Sequence, residues 1–141
     1  MTALVRRATL DEHKAILQVA KQSKYTKDFS NQVMFSSPAA YEKGWICVAE
    51  LNGEIRGFYC IREKVRSPET VLYFIGVDQE AKGRGLGKQL IEHIMASTRH
   101  RRLALNVNKQ NEEARAFYER LGFQVAGESL GGEGLALFKE W

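Results

Sequence analysis

The amino-acid sequence predicts one mixed α/β domain (α+β) whose sheet is mostly antiparallel in its first half. Two β-rich runs meet at the dipeptide Asn52-Gly53, a strong signal for a hairpin. The run VLYFIGV at residues 71–77 is continuously apolar, as in a strand at the centre of a sheet. Strand and helix patterns then alternate to the end of the chain. The length of 141 residues suits a single domain, predicted over 1–141.

The first half of the chain predicts a strand, two helices and the hairpin. Residues 4–8 form the strand, and a helix over 11–21 follows a Thr or Asp cap. Pro38 opens a short helix that Gly44 closes. Residues 22–43 are otherwise irregular and predict helical pieces joined by a polar loop.

The second half adds a crossover and two last strands. The apolar strand 71–77 leads through a glycine-rich stretch to a helix over 86–98, and a strand over 103–107 follows. A strand-helix-strand crossover of this kind predicts that its two strands are parallel. A helix that starts at Asn111 and two strands around a Gly-rich turn complete the order β-α-α-β-β-β-α-β-α-β-β.

The two cysteines lie in the predicted hairpin. Counting outward from the turn places Cys47 opposite Phe58 and Cys60 opposite Trp45, so that the cysteines are diagonal neighbours on one face. Such a pair is too far apart for an unstrained disulfide. We therefore expect both thiols to be reduced, as in a cytoplasmic protein. The three histidines have no spacing typical of a metal site, and no metal is expected.

The composition argues against two other classes of protein. No apolar run has the length of a signal peptide or a membrane span, so no membrane partner is expected. The net charge is +4, but the basic residues are concentrated only at TRHRR, residues 98–102. That stretch favours a helix end over a nucleic-acid site. A small basic nucleic-acid-binding domain is therefore kept as a remote alternative.

The stretch KGRGLGKQL, residues 82–90, indicates an anion site. Gly83, Gly85 and Gly87 precede or open the helix that follows the central strand, and positive charge is added by Lys82, Arg84 and Lys88. A helix N-terminus presents unpaired N–H groups, and glycine lets a ligand approach the backbone. A pyrophosphate-sized anion fits this chemistry.

Two well-known phosphate motifs do not fit the stretch. A P-loop ending at Gly87-Lys88 requires glycine where Lys82 stands, and Ser or Thr where Gln89 stands. A dinucleotide fingerprint requires its third glycine at Lys88 or at Leu90. Both patterns fail at these positions.

Two blocks together resemble the GNAT superfamily of acyl-CoA-dependent N-acyltransferases. The family's pyrophosphate loop, [RQ]-x-x-G-x-[GA], is similar to residues 82–87, except that Lys82 replaces Arg or Gln. Lysine keeps the charge but lacks the planar fork of arginine. The second block, N-x-x-A-x-x-x-Y-x-x-x-G-F, matches Asn111, Ala114, Tyr118, Gly122 and Phe123.

The resemblance implies helices on both faces of the sheet and a cleft where the fourth and fifth strands splay apart. Acetyl-CoA would lie there, with its pantetheine arm against main chain of the fourth strand and its pyrophosphate on the glycine loop. The implied cofactor-binding residues are Ile75, Gly76, Val77, Lys82, Gly83, Arg84, Gly85, Leu86, Gly87, Lys88, Asn111, Ala114, Phe117 and Tyr118. Asn111 can equally be a plain helix cap. Gly76 can mark a bulge or a close approach, or relieve crowding under a helix.

The resemblance also implies one catalytic side chain and leaves the general base open. Tyr118 matches a tyrosine that lies near the CoA sulfur in many members, where it can give a proton to the leaving thiolate. Some members carry a base where this chain has Val71, and others where it has Asn106. The candidates that remain are Glu69, Tyr73, Asp28, and a water held by Asn106 and Asn108. We favour a water relay with Tyr73 and Asn106 as members.

The function predicted in this way is N-acetylation of a primary amine by direct attack within a ternary complex. The acceptor would be a small-molecule or peptide amine, with no nucleic-acid partner, and a homodimer through the last strands is compatible with the family. Residues 21–38 carry Lys21, Lys24 and Lys27 against Asp28, which favours an acceptor with negative charge over a polyamine. A non-catalytic acyl-CoA sensor is the main alternative, because both usual carboxylates are missing.

Overall fold

Seven strands and four helices are seen in the computed structural model, which describes residues 3–23 and 37–141. The strands and helices, in chain order, are β1 (Leu4–Arg7), α1 (His13–Ala20), α2 (Pro38–Glu42), β2 (Ile46–Leu51), β3 (Glu54–Glu63), β4 (Thr70–Val77), α3 (Leu86–Ser97), β5 (Arg102–Asn108), α4 (Glu112–Arg120), β6 (Gln124–Ser129) and β7 (Gly134–Glu140). This order confirms the predicted one. The helical pieces and loop predicted over 22–43 lie in part outside the described residues, as do Lys24, Lys27 and Asp28.

The strands form one sheet in the order β1-β2-β3-β4-β5-β7-β6. Only the β4–β5 pair is parallel among the described strands, as the crossover predicts. Its register runs from Thr70↔Leu103 to Leu72↔Leu105, although β4 continues to Val77 and β5 to Asn108. The two central strands therefore splay apart beyond Leu72, which confirms the predicted fold class.

A bulge in β4 lies where the splay begins. Cys60 pairs with Phe74 and Ile61 pairs with Leu72, which leaves Tyr73 as an extra residue without a partner on β3. A bulge bends a strand and increases its local twist, which turns the second half of β4 away from β5. The bulge does not lie at Gly76. There a Cβ would stand 2.6 Å from Phe58 Cε1, so glycine at this position relieves crowding.

The hairpin turn is as predicted, but the strand register is not. Leu51 pairs with Glu54 around the two-residue turn, and a second irregularity between Ala49 and Glu50 shifts the pairing by one residue. Cys47 is therefore opposite Tyr59, and Cys60 is opposite Ile46, which corrects the predicted partners Phe58 and Trp45. Because side chains alternate between faces, the cysteines lie on opposite sides of the sheet rather than on one face. Both are buried and unbridged.

Helices cover both faces of the sheet. One core cluster joins α3, through Leu86, Leu90 and Ile94, to the face that carries Tyr59 and Leu105. Tyr118 of α4 and Phe123 belong to the same cluster. The other cluster joins α1 and α2 to the face that carries Ile46, Val48 and Phe58. No helix within the described ranges is long and apolar enough to cross a membrane.

The central strand is less buried than its apolar sequence suggests. Thr70 and Leu72 are buried, but Tyr73 is 44% exposed and residues 74–77 are half-buried. The prediction of a strand covered on both faces is thus correct only for its first half. The second half is uncovered because β5 has separated from it at this point.

Candidate active site

A cavity of about 590 Å³ lies at the carboxyl end of β4, where the sheet splits. Its volume is typical of a site for a small molecule or cofactor. Its wall comes from β4, the glycine loop, the first turn of α3 and one side of α4. The predicted cofactor residues that line it are Ile75, Gly76, Val77, Lys82, Gly83, Gly85, Leu86, Gly87, Lys88, Asn111, Ala114, Phe117 and Tyr118.

The glycine loop forms an anion-binding end for α3. Gly83 and Gly85 have φ values of +84° and +77°, a backbone region that residues with a side chain rarely adopt. Gly85 is the N-cap residue of α3, so the first N–H groups of the helix have no partner within the helix. Those groups and the positive end of the helix dipole suit a phosphate.

Arg84 is the one predicted cofactor residue that does not line the cavity. It borders a separate depression of about 180 Å³ together with the β2–β3 turn and Arg56. Its main chain is still part of the loop, but its side chain lies outside the cavity wall.

Lys82 and Glu113 meet at the cavity wall. Lys82 Nζ lies 3.2 Å from Glu113 Oε1, and both side chains are largely exposed. The lysine that replaces the family's Arg or Gln is therefore paired with a carboxylate of α4.

Asn111 is the N-cap of α4. Its side-chain oxygen accepts a hydrogen bond of 3.2 Å from the Ala114 N–H. The predicted capping role is thereby confirmed. The side-chain amide N–H₂ is not used by this bond, and Asn111 lines the cavity.

Tyr118 is a buried phenol with a free hydroxyl. Its ring makes edge-to-face contacts with Phe117 and Phe123, at centroid distances of 5.2 and 5.3 Å. No hydrogen-bond partner for the hydroxyl occurs among the described residues. Burial raises the pKa of Tyr118 well above its ordinary value, because the phenolate would lose its hydration. The phenol therefore stays protonated near neutral pH.

Residues outside both motif blocks complete the cavity. Gln22, just after α1, donates to Asp78 Oδ2 at 3.1 Å and accepts from the Gln79 N–H at 2.8 Å. These bonds hold the end of α1 against the segment between β4 and the glycine loop. Val19 also lines the cavity. A glutamine after a helix has no sequence signal for this role.

The candidates for a general base lie elsewhere. Tyr73 and Asn106 are outside the wall of the cavity in the described chain, and both are exposed. Asn108 uses its side-chain oxygen to accept from the Gln110 N–H at 2.8 Å. Glu69 binds Lys64 at 2.7 Å and Arg102 at 3.4 Å.

Glu69 is thereby a weak base. Its hydrogen bond with Lys64, followed by that with Arg102, lowers the pKa of the carboxyl. A carboxylate with a lowered pKa has less tendency to take a proton from an amine. Asp28 lies outside the described residues. In the described ranges no group of three or more His, Cys, Asp and Glu side chains could hold a metal ion.

Comparison with known proteins defines the class. The chain matches the model of the Acetyltransferase (GNAT) family over residues 7–123 and belongs to that family. It is an N-acetyltransferase. The PaiA N-acetyltransferase of Thermoplasma acidophilum, solved in complex with coenzyme A, superposes with a TM-score of 0.81 at 18% identity over all of both chains. Ard1 of Thermoplasma volcanium gives 0.78 at 16% identity, over 99% of this chain and 98% of that one.

One curated relative is far more similar in sequence. The 5-NmdU N-acetyltransferase of Pseudomonas phage PaMx11 is 86% identical over 138 residues, which cover 98% of this chain and 99% of that protein. The peptidyl-lysine N-acetyltransferase YjaB of Salmonella typhimurium is 45% identical over 53 residues, 38% of this chain and 35% of that protein.

Proposed function

We propose that this N-acetyltransferase moves the acetyl group of acetyl-CoA to an amine carried on position 5 of a deoxyuridine. The transfer is a direct attack within a ternary complex. The observation that carries the proposal is the cavity at the split between β4 and β5, taken together with the 86% identity to a 5-NmdU N-acetyltransferase. We infer that residues 1–141 form a single catalytic domain. We place the protein in the cytoplasm, where acetyl-CoA is available.

The cavity supports acetyl-CoA as the donor. The pyrophosphate fits the unpaired N–H groups at the start of α3, with Lys82 and Lys88 beside it. Pantetheine amides fit the main chain of Ile75 and Val77, because β5 pairs with β4 only as far as Leu72. Between the separated ends of β4 and β5, the polar pantetheine arm can form hydrogen bonds with backbone N–H and C=O groups that the sheet leaves unpaired. The Asn111 amide is a further donor to this arm.

Tyr118 supports direct transfer. The acceptor amine attacks the thioester carbonyl carbon, a tetrahedral oxyanion forms, and the C–S bond then breaks to release a thiolate. The phenol is protonated near neutral pH, lines the cavity and has no hydrogen-bond partner among the described residues, so it is available to give its proton to that sulfur as negative charge develops there. Neither cysteine lines the cavity in the described chain, so the chemistry requires no acyl-cysteine intermediate.

The acceptor amine loses its proton through water in this proposal. Amines are mostly protonated at neutral pH, and Glu69 is engaged in two ion pairs. A water on the exposed side of Tyr73 and Asn106 can pass the proton to solvent. This relay, like the homodimer through β6 and β7, stays a prediction.

An acceptor panel tests the function. Acetyl-CoA consumption would be measured with 5-aminomethyl-deoxyuridine, thymidine, a lysine peptide and spermidine, and the products identified by mass spectrometry. We expect acetylation of the aminomethyl nucleoside and none of thymidine, which has the same ring without the amine. Preferred acetylation of the peptide or the polyamine would overturn the proposed acceptor. Binding of CoA without transfer to any amine would instead identify an acyl-CoA sensor.

A further inference from the structure

A second cleft, of about 710 Å³, lies beside β3 and β4 and shares no lining residue with the donor cavity. We call it the basic cleft. Its ten lining residues include one anion, Glu63, and five cations, Lys43, Arg62, Lys64, Arg66 and Arg99. Such a ratio is far from the nearly balanced charge of the whole chain.

The positive charge of the basic cleft is largely uncompensated. Arg62 and Arg66 are exposed, and neither makes an ion pair with any described residue. Glu63 accepts hydrogen bonds from Thr98 Oγ1 and the Arg99 N–H, both at 2.9 Å. Its carboxylate is thus occupied by neutral donors at the cleft wall. Two of the five cations are partly compensated: Lys64 binds Glu69, and the charge of Arg99 acts on Glu63, where it helps to lower the pKa of the carboxyl.

Two aromatic side chains lie among these cations. Trp45 is half-buried, and Lys43 Nζ stands 4.6 Å from the centroid of its ring. Tyr73 is 44% exposed. Flat apolar rings beside arginines are the surface that nucleic acids use, since phosphates bind the cations and bases contact the rings.

The basic cleft ends at the split in the sheet. Tyr73 is the bulged residue of β4, and the last β4–β5 pair is at the residue before it, Leu72. Ile75, which lines the donor cavity, is two residues further along the strand. Two residues of strand span about 7 Å. A molecule that contacts Tyr73 in the basic cleft is therefore within about 7 Å, measured along β4, of the wall of the donor cavity.

We propose that the basic cleft binds the phosphate backbone of a DNA strand whose amine-bearing base is the acceptor. This inference rests on the proposed function and specifies the substrate as the polymer rather than the free nucleoside. Position 5 of a pyrimidine faces the major groove, so an amine there is accessible on duplex DNA. Arg62 and Arg66 are the phosphate-binding residues. The sequence-based prediction of no nucleic-acid partner is abandoned here, and the site differs from the TRHRR centre of the remote alternative.

Paired neutral substitutions test the cleft. The double variant Arg62→Gln/Arg66→Gln removes two exposed charges from it, and Lys14→Gln/Arg115→Gln removes two exposed charges elsewhere as the matched control. We would measure KM and kcat with 5-aminomethyl-deoxyuridine as the free nucleoside and within a short duplex. We expect the cleft variant to raise KM for the duplex by about tenfold, with nucleoside kinetics unchanged, and the control to match the wild type.

Binding of an unmodified duplex gives a second measurement that needs no acetyl transfer. The slope of log affinity against log salt should fall in magnitude by about 1.8 in the cleft variant, since each phosphate contact contributes about 0.9. If the control variant loses as much, or if the duplex KM is unchanged, the cleft proposal is wrong. If neither nucleoside nor duplex is acetylated, the proposed acceptor fails, while the salt dependence of binding still decides the role of the cleft.

Discussion

Lys82 Nζ lies 3.2 Å from Glu113 Oε1 and so joins the glycine loop to the first turn of α4 across the wall of the donor cavity. The carboxylate of Glu113 partly neutralises the charge of Lys82. An incoming pyrophosphate would approach this carboxylate as well as the lysine. The pair therefore opposes donor binding in two respects: it occupies the cation and places a negative charge close by.

Glu113→Gln should tighten CoA binding. Exposed ion pairs contribute at most about 1 kcal/mol, so we expect the dissociation constant for CoA to fall by about threefold. Isothermal titration calorimetry measures it. Lys82→Ala should weaken binding instead, and Lys82→Arg should retain it.

Glu112→Gln is the matched control for this pair. Glu112 lies next to Glu113 in the first turn of α4, is exposed and makes no ion pair with a described residue, so its loss removes the same charge without releasing Lys82. An equal gain in both variants would show that general electrostatics, rather than the Lys82–Glu113 pair, limits the affinity.

Tyr118→Phe should lower kcat by about 100-fold, since loss of a positioned proton donor typically costs this much. The affinity for CoA should change little, because the ring and its edge-to-face contacts remain. Acetyl-transfer assays measure kcat and calorimetry measures the affinity for CoA, so the two effects are separated. Tyr59→Phe serves as the control: Tyr59 also has a buried hydroxyl, but it bonds His93 Nδ1 at 2.8 Å, outside the cavity. A normal kcat in Tyr118→Phe would exclude the phenol as the acid.

The pH profile provides a separate test of the same group. Burial raises the pKa of Tyr118, so the phenol keeps its proton where an exposed tyrosine, with a pKa of about 10, would begin to lose it. We expect kcat to show no decline from phenol ionisation up to about pH 10. A decline that Tyr118→Phe abolishes would contradict this expectation.

Gly85→Ala should reduce both stability and donor binding. A left-handed backbone costs about 1 kcal/mol or more with a side chain, although open space surrounds a Cβ at this position. The strain displaces the first N–H groups of α3, and CoA affinity should fall by about tenfold, which is 1.4 kcal/mol.

Gly131→Ala separates strain from site geometry. Gly131 has a similar φ of +65° and equally open surroundings, but it lies between β6 and β7. Chemical denaturation should give similar losses of stability for the two variants. Loss of CoA affinity in Gly131→Ala as well would mean that general destabilisation, and not the loop, explains the effect.

Glu12→Gln should remove part of the pH dependence of folding stability. Arg6 makes a two-point contact with Glu12, with bonds of 2.9 and 2.7 Å, and this lowers the pKa of Glu12 from 4.5 to about 2. A lowered folded-state pKa stabilises the fold above the unfolded value of 4.5, and the contribution is lost as the pH falls through 2.

Urea unfolding measures this contribution. The wild type should exceed Glu12→Gln by roughly 2 kcal/mol at neutral pH, and the difference should shrink progressively below about pH 4.5. A constant difference between wild type and Glu12→Gln at all pH values would contradict the linkage.

The sequence predicted the elements that depend on local rules. Asn52-Gly53 defined the hairpin turn, Asn111 defined the start of α4, and the glycines defined a loop before α3. Each of these is a short-range preference of the backbone or of a capping side chain. The family blocks then brought together residues that line one cavity, because both blocks flank the same split in the sheet.

The sequence did not predict features that depend on partners distant in the chain. The bulge beside Ala49 changed the hairpin register and moved Cys60 to the other face of the sheet. The Lys82–Glu113 pair joins residues 31 positions apart, and no local pattern marks it. The basic cleft gathers side chains from four separate segments, so its charge density is not visible in any single run of the sequence.

The short β4–β5 pairing gives the molecule two sheet edges in its interior. Edges normally lie at the periphery, where they can recruit foreign strands, and proteins protect them there. Here the edges of β4 and β5 face each other beyond Leu72, and no described strand fills the gap. A bound acyl donor would close this interior seam and join the two blocks of strands into one unit. Ligand binding and the cooperativity of unfolding would then both depend on the contact between β4 and β5 at this seam.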